Sequence, residues 1–218
     1  MTDPAAAGPQ PPGPPAAYRA TVGSQQVDLP IVPLDGQRAI SLMMTIDLGV
    51  RFTSVAAAEL AAALAPARPE RVVSVATLGI PVAFEVSRCL GLDDYLILQK
   101  SPKIHLKDCL REPVDSITSA TTQHLLLDRQ RIGAVRGRRV AFVDDVISTG
   151  ASAVAALRLL RQAGADIVAI GALLTESGAW RGALGPDAPL VHALGQIPLF
   201  HPGPDGTWIP DPDMTGSA

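Results

Sequence analysis

Between residues 50 and 175, short apolar runs alternate with longer segments whose apolar positions recur every three or four residues. The runs at residues 71–76 (RVVSVA), 94–99 (DYLILQ), 139–143 (RVAFV) and 167–174 (IVAIGALL) are rich in Val, Ile and Leu. Such runs read as strands, and the least interrupted of them as strands covered on both faces. The segments at 53–65 (TSVAAAELAAALA), 80–90 and 151–163 (ASAVAALRLLRQA) carry the helical period. Pro66 stops the first helix, Pro81 is tolerated in the first turn of the second, and Gly164 can close the third. The alternation predicts an α/β fold, a mostly parallel central sheet with helices on both faces. Ligands of such sheets bind beyond the carboxyl ends of the strands.

The two ends of the chain break this pattern. Residues 1–17 are almost entirely Pro, Ala and Gly, and residues 202–218 are rich in Pro, Gly and Asp. Both read as tails that cannot build a core, although Trp208 and Ile209 could tuck onto the body. One domain over residues 18–201 is expected between them. Apolar residues make up 47% of the chain and charged residues 18%, which suits a folded domain and not a disordered one. The net charge of −3 offers no basic footprint, so a nucleic-acid partner is not expected. Cys89 and Cys109 are too few for a disulfide framework and read as reduced thiols of a cytoplasmic protein. No signal-peptide pattern opens the chain and no eighteen residues are uninterruptedly apolar, so no membrane partner is expected.

The chemistry concentrates at residues 140–152, VAFVDDVISTGAS. Four apolar residues run into Asp144 and Asp145, and a small polar turn, Ser148-Thr149-Gly150-Ala151-Ser152, then opens a helix. A strand end holds the carboxylates rigidly. The turn presents backbone N–H groups and hydroxyls at a helix N-terminus, where a phosphate monoester fits. Gly150 lets the backbone approach that phosphate closely. The two acids can accept hydrogen bonds from neighbouring sugar hydroxyls, so one strand–turn–helix can hold a ribose 5-phosphate.

VAFVDDVISTGAS resembles the phosphoribosyl pyrophosphate motif of the type I phosphoribosyltransferases, and residues 50–175 resemble the adenine branch of that family. The resemblance implies that Asp144 and Asp145 hold the ribose 2- and 3-hydroxyls, directly or through Mg2+, and that Ser148, Thr149, Gly150, Ala151 and Ser152 hold the 5-phosphate. It further implies that Thr77, Leu78 and Gly79 bind pyrophosphate through backbone amides, often beside a strained peptide bond. Lys100 and Lys103 stand where the family has a basic pair near the pyrophosphate, and Lys100 joins the two acids as a catalytic residue. Residues 101–124 would form a mobile flap over the site, and residues 18–50 and 189–201 a small hood contributing the base pocket. The partners implied are phosphoribosyl pyrophosphate, a heterocyclic base and a second copy of the chain in a homodimer.

Departures from the family set the limits of that reading. Adenine enzymes carry a charged residue where this chain has Leu78, and a Tyr and a Glu in the flap that residues 116–124 lack. The nearest carboxylates there are Glu112 and Asp115. Hypoxanthine–guanine enzymes commonly carry Asp where this chain has Ser148, which steers the reading to the adenine-like side. The expected acceptor is adenine or an analogue such as a deazapurine. Two other classes compete: a phosphoribosyl pyrophosphate-sensing regulator of the same fold, and a phosphotransfer protein with one nucleophilic Asp, in which the STGAS turn would have no role.

Overall fold

The computed structural model describes residues 16–101, 108–114 and 123–212. In chain order the strands and helices are β1 (Ala17–Val22), β2 (Gln25–Pro33), β3 (Ala39–Ser41), α1 (Thr45–Leu64), β4 (Arg71–Val75), α2 (Gly79–Cys89) and β5 (Tyr95–Leu98). There follow β6 (Cys109–Val114), β7 (Gln123–Asp128), β8 (Arg139–Ile147), α3 (Ala151–Gln162), β9 (Asp166–Glu176) and α4 (Ala179–Leu184). The described chain ends with β10 (Val191–Ala193), β11 (Gln196–Ile197), β12 (Leu199–Pro202) and β13 (Trp208–Pro210).

The central sheet has the order β10-β9-β8-β4-β5, with β11 also pairing β9. Every one of these pairings is parallel. Side chains alternate between two cores. Val73, Val140 and Phe142 pack with Leu157, Leu159 and Leu160 of α3, while Val72, Ala141 and Val143 pack with Leu60 and Leu64 of α1 and Val82 and Val86 of α2. This period-2 sorting onto two covered faces is why β8 reads as an unbroken apolar run. The α/β architecture expected from the sequence is the one found.

Two of the expected strands run past their apolar runs, while β4 and β5 stop one residue short of the expected 76 and 99. β8 continues through Asp144 and Asp145 to Ile147, and β9 continues to Glu176. The pairs Asp144↔Ala172, Val146↔Leu174 and Ile147↔Thr175 extend the ladder past the last apolar residue of the run. Helix α1 begins at Thr45 rather than at residue 53, with a break at Gly49, whose φ is 82°. The segment Thr45–Ala67 is long and apolar enough by composition to cross a bilayer. In the fold its Phe52, Ala56, Ala57, Leu60 and Leu64 are buried in the core shared with α2 and the sheet.

Both ends of the chain meet in a second sheet, antiparallel throughout, of order β1-β2-β3-β12-β13. It runs past the expected boundary at residue 201, because Trp208, Ile209 and Pro210 pair with Pro202, His201 and Phe200. The tail expected over 202–218 therefore contains a strand, β13, at the edge of this sheet, with Ile209 left exposed. The flap expected over 101–124 is likewise strand in part. β6 and β7 form an antiparallel hairpin, from Cys109↔Asp128 to Val114↔Gln123. Pro113 hides β6 in the sequence, since proline enters only edge positions of a sheet, and this two-stranded ribbon offers one. Residues 115–122 lie outside the described residues.

Phe142 is fully buried two positions before Asp144. Phe142→Ala is expected to destabilise the fold by about 3–5 kcal/mol in equilibrium denaturant unfolding.

Candidate functional site

The carboxyl ends of β4, β5 and β8 open into one solvent-exposed cleft of about 210 Å³. Thr77, Leu78, Lys100, Asp144, Asp145 and the whole turn from Ser148 to Ser152 line it. Gly79 sits immediately beside it, so the residues singled out in the sequence are brought together. Lys103, Asp115 and the serines and threonines of 116–122 lie outside the described residues.

Two helices point their N-termini into this cleft. Neither N-cap residue, Leu78 of α2 or Gly150 of α3, offers a side-chain cap, and the one side-chain acceptor at these ends is the Thr149 hydroxyl, 3.3 Å from the Ala151 amide. First-turn amides without intrahelical partners, together with the helix dipole, favour an anion at each end. The turn into α3 depends on Gly150. Its φ is 83°, and a Cβ there would lie 3.2 Å from Ala183 Cβ and 3.3 Å from Trp180 Cα. The turn into α2 begins with a cis bond between Ala76 and Thr77. The Thr45 hydroxyl donates to the Leu78 carbonyl at 2.9 Å and ties this turn to the start of α1. Gly79 is needed for another reason: a Cβ there would collide with Ser74 Oγ and lie 2.6 Å from Asp144 Oδ1. The turn after β4 and the acids of β8 are thus packed against each other.

The acids form a strained electrostatic pair. Burial and then the neighbouring Asp145 charge hold the Asp144 carboxyl well above the usual carboxylate range. The Asp145 amide, which donates to Asp144 Oδ1 at 3.1 Å, and the Lys100 charge pull it back down. Burial also raises Asp145, against hydrogen bonding from Asp144 and nearby amides. Two adjacent half-desolvated carboxyls do not both ionise freely, and a cation or a set of donated hydroxyl hydrogens would relieve them.

Two residues differ from expectation. The Ser148 hydroxyl is turned away from the role of phosphate donor and donates instead to Glu176 Oε2. Glu112 is remote from the cleft. Its carboxylate accepts from Gln162 Nε2 at 2.7 Å and lies 3.8 Å from Arg158. Gln162 is eleven residues along α3 from Ala151, about 16 Å at 1.5 Å per residue, so Glu112 anchors the hairpin to the far end of that helix. Glu176, at the carboxyl end of β9, is the carboxylate that sequence reading missed. The expected strand stopped at residue 174, and the sole available signal was an acid placed shortly after an apolar run, as at Asp144. Burial raises the Glu176 carboxyl, and the Ser148 hydroxyl opposes that shift.

A phosphoribosyl transferase domain model matches residues 54–183. The chain is 28% identical over 160 residues to the xanthine phosphoribosyltransferase of Brevibacillus brevis, covering 73% of this chain and 76% of that one. It is 32% identical over 111 residues to the adenine phosphoribosyltransferase of Rhodospirillum centenum, covering 51% and 61% respectively. Among solved structures, the adenine phosphoribosyltransferase of Thermoanaerobacter pseudethanolicus superposes with a TM-score of 0.65 at 17% identity, over 78% of this chain and 95% of that one. That last likeness is one of fold.

Gly79→Ala is expected to destabilise the protein by about 1–3 kcal/mol through overpacking against Ser74 and Asp144, read by thermal or denaturant unfolding. Asp144→Asn is expected to act the other way. A carboxyl raised in the folded state leaves that state holding more protons than the unfolded chain, so stability falls as pH rises between the ordinary and the raised value. The asparagine variant without ligand should therefore melt above the parent at neutral pH, with the gap closing on acidification.

Proposed function

The chain belongs to the phosphoribosyltransferase family, and on that footing we propose that it transfers the 5-phosphoribosyl group of phosphoribosyl pyrophosphate to a ring nitrogen of a purine or purine-like base, adenine or an analogue such as a deazapurine, with release of pyrophosphate. The observation that carries this is the pair of helix N-termini, neither capped by its N-cap side chain, flanking Asp144 and Asp145 in one cleft. Phosphoribosyl pyrophosphate has the matching form: a phosphate at one end, a pyrophosphate at the other and a diol between.

In this reading the turn from Ser148 to Ser152 holds the 5-phosphate through its amides, and Asp144 and Asp145 accept from the ribose hydroxyls. The amides of Thr77, Leu78 and Gly79, with the Lys100 ammonium, receive the pyrophosphate. Lys103 belongs to the same proposal. As pyrophosphate departs, positive charge develops at the anomeric carbon, and a base nitrogen attacks from the opposite face. The protein contributes position and electrostatics rather than a covalent intermediate.

Mg2+ fits the acids. They are adjacent hard oxygen donors whose raised protonation a dication would reverse. No cluster of three or more His, Cys, Asp or Glu exists among the described residues, so Asp144 and Asp145 would share the ion with substrate oxygens. When bound, it would neutralise charge on the leaving pyrophosphate. The choice of an adenine-like base rests on Ser148, which stands where an acid is usual in 6-oxopurine enzymes. Relatives named for xanthine and for adenine are matched at comparable identity, so the acceptor is part of the proposal.

The test is pyrophosphate release from phosphoribosyl pyrophosphate and Mg2+ with a panel of purines, pyrimidines and deazapurines. Release with a 6-aminopurine and its abolition by a chelator are expected. Binding of phosphoribosyl pyrophosphate without release from any base would overturn the transferase reading. The double variant Asp144→Asn, Asp145→Asn is expected to lose phosphoribosyl pyrophosphate binding in calorimetry while keeping its far-UV spectrum; unchanged binding would remove the assignment of the acids.

A further inference from the structure

Inversion at the anomeric carbon gives the incoming base a side of the sheet. The pyrophosphate residues follow β4 and β5, which lie on one flank of β8. A base attacking opposite the leaving group must enter from the other flank, where β8 pairs with β9. The hood is joined to that flank, since the Gly23 amide donates to the Leu194 carbonyl at 2.9 Å and β12 follows directly on β11.

The carboxyl end of β9 carries Glu176, one step beyond the Ile147↔Thr175 pair and itself paired with Ile197 of β11. Glu112 and Glu176 are the two carboxylate residues with less than a tenth of their surface exposed among the described residues, at 9% and 4%. Glu112 is tied to the far end of α3, as described above. Glu176 faces the phosphate turn, where its carboxylate accepts from the Ser148 hydroxyl. An ionised carboxylate has about four acceptor sites, and one hydroxyl uses one of them. Burying such a group is costly unless donors satisfy it. It can accept and cannot donate, which sets what it tolerates opposite it.

We infer that Glu176 is a specificity-determining residue, accepting a hydrogen bond from the exocyclic amino group of the base. The inference rests on the phosphoribosyltransferase reading and deepens it. Once N9 of adenine is bonded to the sugar, the 6-amino group holds the last N–H donors on the ring. Hypoxanthine in the same pose turns a carbonyl oxygen towards the carboxylate, and its remaining edge donor, N1–H, sits one ring position away.

The test uses the two nucleotide products, AMP and IMP, and ribose 5-phosphate, each titrated calorimetrically into the full chain. This readout does not require turnover. The parent is expected to bind AMP roughly ten- to a hundredfold more tightly than IMP, the value of a hydrogen bond to a charged group. Glu176→Gln keeps the shape but can both donate and accept, so the ratio should collapse towards one while ribose 5-phosphate binding is kept. A parent that prefers IMP, or binds neither nucleotide, overturns the inference without any variant. So does a Glu176→Gln protein with an unchanged ratio, or one that loses ribose 5-phosphate together with both nucleotides, which would mark Glu176 as a support of the phosphate turn. Failure of the transferase reading is separate: it would appear as no pyrophosphate release by the parent from any base.

Discussion

The site depends on the parallel pairing of β8 with β4 on one side and β9 on the other. Alternate residues of β8 are locked into two different cores, Phe142 against α3 and Ala141 and Val143 against α1 and α2. A strand fixed this way cannot slip by one residue without exchanging its two faces. Its last residues are therefore delivered at a set height and direction, and those residues are the two acids and the turn that begins α3. The same ladder sets the neighbours: the turn after β4 lies against Asp144, and Glu176 of β9 lies against Ser148.

That placement creates an unbalanced electrostatic field. Two carboxyls are held side by side in a partly desolvated cleft, each harder to ionise than it would be in water. Facing them are an ammonium, Lys100, and two helix ends whose N-cap residues offer no side-chain cap. Negative and positive elements are thus separated within one cleft instead of neutralising each other. A ligand with anionic ends and a neutral diol between them complements this field, and a lone phosphate or a lone sugar does so only in part. The cost to the free protein is the reverse side of binding, since groups strained without ligand gain most when it arrives.

The second sheet shows a division of labour between the middle and the ends of the chain. The central strands and their helices build the cleft lined by Asp144, Asp145 and the turn from Ser148 to Ser152. The antiparallel sheet combines residues 17–41 with residues 199–210 and is joined to the β9 side of the core. Glu112 illustrates how sequence distance misleads here. It stands within the flap expected over 101–124, yet Gln162 and Arg158 hold it towards the far end of α3. Glu176 is distant from the turn at Ser148–Ser152 in sequence, and adjacent strands bring it into hydrogen-bond contact with Ser148.

The sequence by itself determined the α/β architecture, the central helices and strands, and the contiguous acids and turn that line the cleft. These features are local: apolar period, helix stops at Pro66 and Gly164, and the contiguous run from Val140 to Ser152 each need only neighbouring residues to be legible. Whatever required two distant segments to meet was decided by the tertiary structure. The extension of β8 through its acids came from its ladder with β9, and the strand at Trp208–Pro210 from its pairing with β12. The β6–β7 hairpin was concealed by Pro113 until an edge position made that proline acceptable. The partnership of Ser148 with Glu176 joins residues twenty-eight positions apart. No periodicity or motif reports such a contact, because it is set by the register of two parallel strands, and that register is a property of the packed sheet and not of either strand alone.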